Sequence, residues 1–173
     1  MYCPTVYTSA CAWLLAGHRI GQSGSAMKVG KIMTAWAVGL MMATSALAAN
    51  HTVNMLNTGA DGIFAFEPGY LRVQPGDTVT FASTDAGHDS KSFLVPDGAA
   101  HWTGDISKAI TVTFEQEGIY LYECIPHRQF GMLGVVQVGK AVNKAAAAKA
   151  VADMERQQVM NKGRLTRLFD QVK

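Results

Sequence analysis

From residue 51 onward the chain is written in short stretches rich in β-branched and aromatic residues. "HTVNML" (51–56) alternates apolar and polar positions. "GIFAFEP" (62–68) and "YLRVQPGDTVTFAS" (70–83) follow, the second broken by the turn signal Pro75-Gly76-Asp77. "KSFLVPDG" (91–98), "AITVTFEQEG" (109–118), "IYLYEC" (119–124) and "GVVQVG" (134–139) continue the series. Strand formers punctuated by regular turns predict an antiparallel β-sandwich. At Ala141 the texture changes. Residues 141–160, "AVNKAAAAKAVADMERQQVM", are dominated by strong helix formers. Asn161-Lys162-Gly163 interrupts them, and "RLTRLFDQV" (164–172) resumes a helical pattern. Two helices packed on the sandwich are expected, with Met154, Leu165 and Leu168 turned toward the core.

The amino-terminal third has a different pattern. "MKVGKIMTAWAVGLMMATSALAA" has Lys28 and Lys31 at its start, an apolar middle, and Ala46-Leu47-Ala48 as a small-residue cleavage site. That is the design of a secretory signal peptide over residues 27–48, and its apolar run is too short for a membrane anchor. The mature chain is expected to begin near Ala49 and to be exported without an anchor. Residues 1–26 read as an upstream extension of open translation, so Cys3, Cys11 and His18 are given no functional part. The expected organisation is then a sandwich domain over 49–140 and a helical extension over 141–173 packed on the same domain. A chain of 173 residues, 49% of them hydrophobic, has material for one domain with a real core.

Charge follows the same boundaries. The whole chain carries a formal +2, but residues 49–139 hold four Lys/Arg against ten Asp/Glu, a net −6. Residues 140–173 hold eight Lys/Arg against three Asp/Glu, a net +5. An acidic body with a basic tail has no basic face for nucleic acid.

After Ala49 a single cysteine, Cys124, remains in a chain expected to be exported. A lone thiol in an oxidising compartment needs protection, by burial or by a metal. It opens the stretch "CIPHRQFGM", which places His127 three and Met132 eight residues further on. Thiolate and thioether are soft donors and imidazole is borderline. One thiolate, two imidazoles and a weak axial Met are the donor set of a blue-copper electron-transfer site. The second imidazole has three sources, His51, His88 and His101. His88 lies in the turn-rich "STDAGHDSKSF", between two strand-like runs, where a sandwich can bring it beside the loop after Cys124. His51 stands at the amino end, where fraying is expected, and His101 reads as an exposed loop residue. Pro126 stiffens the turn that aims His127, and Gly131 permits a tight approach before Met132. Zinc would call for more thiolates or imidazoles in place of Met. A catalytic Cys-His pair is the other alternative.

The stretches "VNMLNTG", "FEPGYLRVQPGDTVTF", Gly87-His88, "CIPH" and Gly131-Met132 together resemble the pseudoazurins, a branch of the cupredoxin family, from Val53 to Gly139 and on into the helical tail. The resemblance implies an all-β Greek-key sandwich of eight strands with a C-terminal two-helix extension. It implies one type 1 copper ion held by His88, Cys124, His127 and Met132. It further implies a monomeric periplasmic electron carrier that is not an enzyme. Its complexes with redox partners would be transient. The partner is expected in denitrification, with copper nitrite reductase as acceptor and cytochromes as further candidates. A copper-delivery protein using the same ligands is the alternative. In the family the loop histidine's ring edge reaches the surface inside an apolar patch. Pro126, Phe130, Leu133, Ile63 and Phe64 are the candidates for that patch here, with Arg128 beside them.

Three positions depart from the pattern that the resemblance implies. Asp89 follows His88 where Asn is usual, so a carboxylate is expected near the copper, accepting a backbone N–H. Phe64 stands where Met is common and is expected to stack on His127. Thr58, Ala86 and Glu123 stand where lysines usually ring the docking face. Arg128 is then the one positive charge next to His127, and electrostatic steering toward an acidic partner is expected to be weak.

Overall fold

The computed structural model describes residues 47–173. The expected upstream extension, and all but the last two residues of the expected signal peptide, lie outside the described residues. Eight strands run β1 (Asn50–Gly59), β2 (Gly62–Glu67), β3 (Tyr70–Val73), β4 (Thr78–Ala82), β5 (Lys91–Leu94), β6 (Ile110–Thr113), β7 (Gly118–Glu123) and β8 (Leu133–Val138). Two helices follow, α1 (Lys144–Glu155) and α2 (Arg164–Phe169). The strands form two four-stranded sheets, ordered β2-β1-β4-β6 and β3-β8-β7-β5, facing each other as a sandwich.

The expectation of a purely antiparallel sandwich is corrected. β1 runs parallel to β4 and β3 runs parallel to β8. No hairpin joins either pair. The chain crosses between sheets and re-enters in the same direction, and an alternation pattern carries no information on direction.

The pattern of β7 and β8 explains where the core sits. Every residue of both strands is buried. Side chains alternate across a strand, so each face must be covered by something different. Tyr120, Tyr122, Val136 and Val138 pack with Val53, Met55, Phe66 and Phe81 between the sheets. Ile119, Leu121, Leu133 and Val135 point the other way and pack against Ala147, Val151 and Met154 of α1 and Leu165 of α2. The α1 residues recur at a spacing of four and three, the stripe a helix offers one neighbour. Burial on both faces is why these strands read as almost unbroken apolar runs. Leu168 is partly buried against the same cluster. The helices therefore form a third layer, and β7 and β8, which flank the candidate site, lie in the middle layer.

Candidate metal centre

Cys124 is the first residue past β7, and Met132 is the last before β8. The backbone between them is closed on itself. The Cys124 N–H donates to the Met132 carbonyl at 3.1 Å, and the His127 N–H donates to the Cys124 carbonyl at 3.2 Å. The N–H groups of Phe130 and Met132 both donate to the His127 carbonyl, at 3.0 and 3.3 Å. Arg128–Phe130 form a 3₁₀ turn that ends at Gly131 with φ +78°. A β-carbon at Gly131 would lie 2.9 Å from Asn161 Cβ and 3.1 Å from the Met160 carbonyl. Backbone conformation and close approach of the chain at 160–161 both demand glycine there.

His88 arrives from the β4–β5 connection. Its carbonyl accepts the Ser107 N–H at 2.8 Å, and the Gly87 N–H donates to Ser107 Oγ at 2.8 Å. These bonds pin the His88 loop to the chain before β6. His88 Nδ1 and His127 Nδ1 are 3.1 Å apart. Cys124 Sγ lies 3.4 Å from the His127 Nδ1 and 3.8 Å from the His88 Nδ1. His88, Cys124 and Met132 are wholly buried, while His127 keeps one edge toward solvent.

These residues fit a copper ion on their own chemistry. Three donors sharing one ion in a plane, with metal–nitrogen bonds of about 2.0 Å, stand about 3.5 Å apart. The three separations here bracket that value. His88 Nε2 lies 3.1 Å from Asn57 Oδ1, so the Nε2 proton is donated outward and the Nδ1 lone pair faces the other donors. Burial lowers the pKa of His88, the neighbouring His127 lowers it further, and Asp85 and Asp89 oppose them. Burial lowers that of His127 as well, against Asp89. Both rings are neutral and able to ligate at pH 7. Burial pushes the Cys124 thiol up to about 11, against the N–H groups of Asp89 and His127 that favour the thiolate. The inward lone pair of His88, the His127 Nδ1 beside it and a buried thiol make a good soft-metal site.

The other two histidines lie apart. His51 is not frayed. It sits within β1, and its Nε2 is 3.2 Å from Asp77 Oδ2. Asp77 also accepts the Ala49 and Gln74 N–H groups, both at 2.8 Å, which ties the amino end down. His101 Nδ1 lies 3.0 Å from Ser92 Oγ.

Around the cluster, Asp89 is buried, and its Oδ1 accepts the Ile125 N–H at 2.7 Å, joining the His88 loop to the Cys124 loop. The Phe64 ring lies on the His127 ring with centroids 4.1 Å apart and planes 14° from parallel. Phe130 flanks Phe64 with centroids 5.7 Å apart. Exposed apolar side chains at Ile63, Ile125, Val159 and Met160 and the exposed Pro126 lie on the segments bordering His127. Leu133 is not among them. It is 1% exposed beneath the helices, because β8 alternates and position 133 faces α1 and α2. Arg128 is not a free charge either. Its Nε is 3.0 Å from Oε2 of Glu123, whose side chain is buried, so the two cancel at the rim.

Sequence reasoning missed Asn57, Asn161 and Arg164. Asn57 lies in a quoted stretch, but nothing local marks it as the acceptor for His88. In the sequence Arg164 is one of eight basic residues of the tail. It is 3% exposed and donates to carbonyls about a hundred residues away.

A family model for copper-binding proteins of the plastocyanin/azurin family matches residues 53–139. A pseudoazurin of Paracoccus pantotrophus is 38% identical over 112 residues, 64% of this chain and 77% of that protein. A pseudoazurin of Methylorubrum extorquens is 33% identical over 138 residues, 79% of this chain and 90% of that protein. Among solved structures, a Sinorhizobium pseudoazurin aligns with a TM-score of 0.56 at 43% identity, over 61% of this chain and 91% of that one.

Proposed function

The chain belongs to the pseudoazurins of the copper-binding plastocyanin/azurin family, electron-carrying cupredoxins with one type 1 copper, and on that premise we propose that it carries single electrons in the periplasm to a denitrification enzyme, copper nitrite reductase foremost. The observation that supports this most is the convergence of the His88, His127 and Cys124 donor atoms in a buried pocket. His88, Cys124 and His127 bind the metal in our reading, and Met132, fully buried at the end of the same loop, supplies the weak fourth donor. Copper bound there supplies a one-electron couple. The chain's part is to keep the donors in one arrangement through both oxidation states and to exclude water. Closed backbone bonds from Cys124 to Met132 and the Asp89 bridge serve the first task. Burial of three of the four donors serves the second. His127, with Phe64 against its ring and an edge toward solvent, is the exit for the electron. Exposed Ile63, Ile125, Pro126, Val159 and Met160 form the apolar docking face around it.

Copper delivery with the same ligands needs an exchangeable site. Full burial of His88, Cys124 and Met132 favours retention. Adding Cu(II) to the protein is expected to give an intense band toward the red end of the visible spectrum that cycles reversibly with one electron and is lost in Cys124→Ser. Rapid transfer of that copper to a chelator would favour delivery. Mixing the reduced, colourless protein with copper nitrite reductase and nitrite is expected to restore the visible band as the carrier is re-oxidised, one electron from each carrier reducing one nitrite to nitric oxide. Failure to re-oxidise would remove that enzyme as partner.

A further inference from the structure

The C-terminal extension reaches the candidate metal centre through one buried cation. Arg164 opens α2 and is 3% exposed. Its Nη1 donates to the carbonyls of Phe64 at 2.7 Å and Gly131 at 3.0 Å. Its Nη2 donates to the carbonyls of Asp61 at 2.6 Å and Ile63 at 3.1 Å. Its Nε is 3.1 Å from the Asp61 carboxylate, which balances the buried charge. Three residues earlier, Asn161 Nδ2 donates to the carbonyls of Phe130 at 2.6 Å and Ile63 at 3.2 Å. Two residues of the tail therefore bind the same two pieces of chain. One is Asp61 and the first residues of β2, which carry Phe64; the other is the corner of the ligand loop at Phe130 and Gly131.

Phe64 covers one face of the His127 ring, and Phe130 packs beside both, its centroid 5.7 Å from Phe64 and 6.3 Å from His127. Phe64 has φ +49°, a left-handed conformation that a bulky residue rarely adopts. Such a conformation persists only where the surroundings over-determine it. Here the overdetermination is the fan of donors from Arg164 and Asn161 onto the carbonyls of residues 61, 63 and 64. A planar guanidinium can serve several carbonyls in fixed directions at once, which an ammonium cannot.

We propose that Arg164, assisted by Asn161, is a positioning residue for the electron-exit imidazole, tying the Phe64 segment of β2 to the Gly131 corner of the ligand loop so that the Phe64 ring stays stacked on the His127 ring. The inference rests on the reading of His127 as a copper ligand through which the electron leaves. It gives the helical extension a task at the redox site in addition to covering β7 and β8.

The test is proton NMR on the Cu(I)-loaded protein, which is diamagnetic. In the parent protein the Phe64 ring displaces the His127 ring protons upfield, and Phe64→Ala defines the displacement by abolishing it. Arg164→Met is expected to lose most of that displacement and to slow electron self-exchange. Adding Phe64→Ala to Arg164→Met should change the His127 signal no further than Phe64→Ala alone. Asn161→Ala should show a smaller loss in the same direction, and it decides the matter if Arg164→Met does not fold. A merely structural Arg164 would lower the melting temperature and leave both the His127 signal and self-exchange at parent values, and that result overturns the proposal. A parent protein that takes up no copper would instead refute the metal reading. The same comparison of His127 signals in the metal-free protein keeps the two failures apart.

Discussion

Binding a metal at this site has to begin by removing a proton from Cys124, and the structure sets how costly that is. Burial holds the thiol at about 11, against an ordinary 9.0. At pH 7.5 forming the thiolate then costs about 5 kcal/mol, where an exposed cysteine would need about 2, taking about 1.36 kcal/mol per unit. Both imidazoles have their pKa values lowered by burial, so they are already neutral at that pH and contribute no proton. The expected count is one proton released per metal bound. Apparent affinity should rise about tenfold per pH unit from pH 7 to 10, since the competing proton is lost at that rate. Zn(II), which cannot oxidise the thiol, is the probe. Calorimetric titrations of the metal-free protein in buffers of different ionisation enthalpy count the protons directly. In acid, below the ordinary imidazole range, the count should climb as His127 and His88 begin to hold protons. A count near zero at pH 7.5, with affinity flat in pH, would mean that the thiolate is preformed. The reasoning from burial would then be wrong.

Four further outcomes are expected. Tyr122 is wholly buried, and its hydroxyl has no hydrogen-bond partner among the described residues, so Tyr122→Phe should raise stability by about 1 kcal/mol in urea unfolding; a comparable loss would show a hidden partner. Gly134→Ala would put a β-carbon 2.2 Å from Tyr122 Cζ in the packed core, and a drop of about 3 kcal/mol or more is expected, while an unchanged melting temperature would refute the packing. Asp89→Asn keeps an oxygen to accept the Ile125 N–H but removes a buried charge beside Cys124, so the reduction potential should rise with little change in stability; an unchanged potential in protein-film voltammetry counts against a role for that charge. Electron-transfer rates with an acidic partner should vary little with ionic strength, because Arg128 is paired with Glu123 at the rim; a steep fall with added salt would contradict this.

Much of the frame was legible in the sequence, because strand and helix periods are local. The alternation of residues 51–56 and the unbroken runs at 119–124 and 134–139 located β1, β7 and β8. Change of composition at Ala141 located the helices. The meeting of Cys124 with His127 was legible for a related reason: they share one loop, so their spacing is itself information. What sequence left out depends on distant chain segments meeting. Parallel pairing of β1 with β4 arises from chain crossings that no period records. Leu133 could be placed on the wrong face, because in a strand covered on both sides polarity no longer marks the outside. Asn57 reaches His88 over 31 positions, and Arg164 reaches Phe64 over 100. A single residue has no periodicity that could announce such a contact.

The same limit governs what charge can say about partners. Counted along the chain, the acidic body and basic tail suggest a dipolar molecule. In the fold many of those charges are committed to one another. Arg164 and Arg167 both meet Asp61, and Arg128 meets Glu123. Lys149 and Arg156 converge on Asp153 within α1 and its end. Lys108 pairs with Asp105 near the His88 loop. Steering at a distance depends on net charge on the docking side, and pairs this close present little more than short-range dipoles. With Thr58 and Ala86 exposed and uncharged, the surface around His127 is left with apolar side chains as its main contact material. Recognition at such a face comes from area removed from water and from shape. If the proposed docking face is used, it would select a partner whose electron entry is ringed by apolar side chains, and a steep salt dependence of the reaction would overturn that reading.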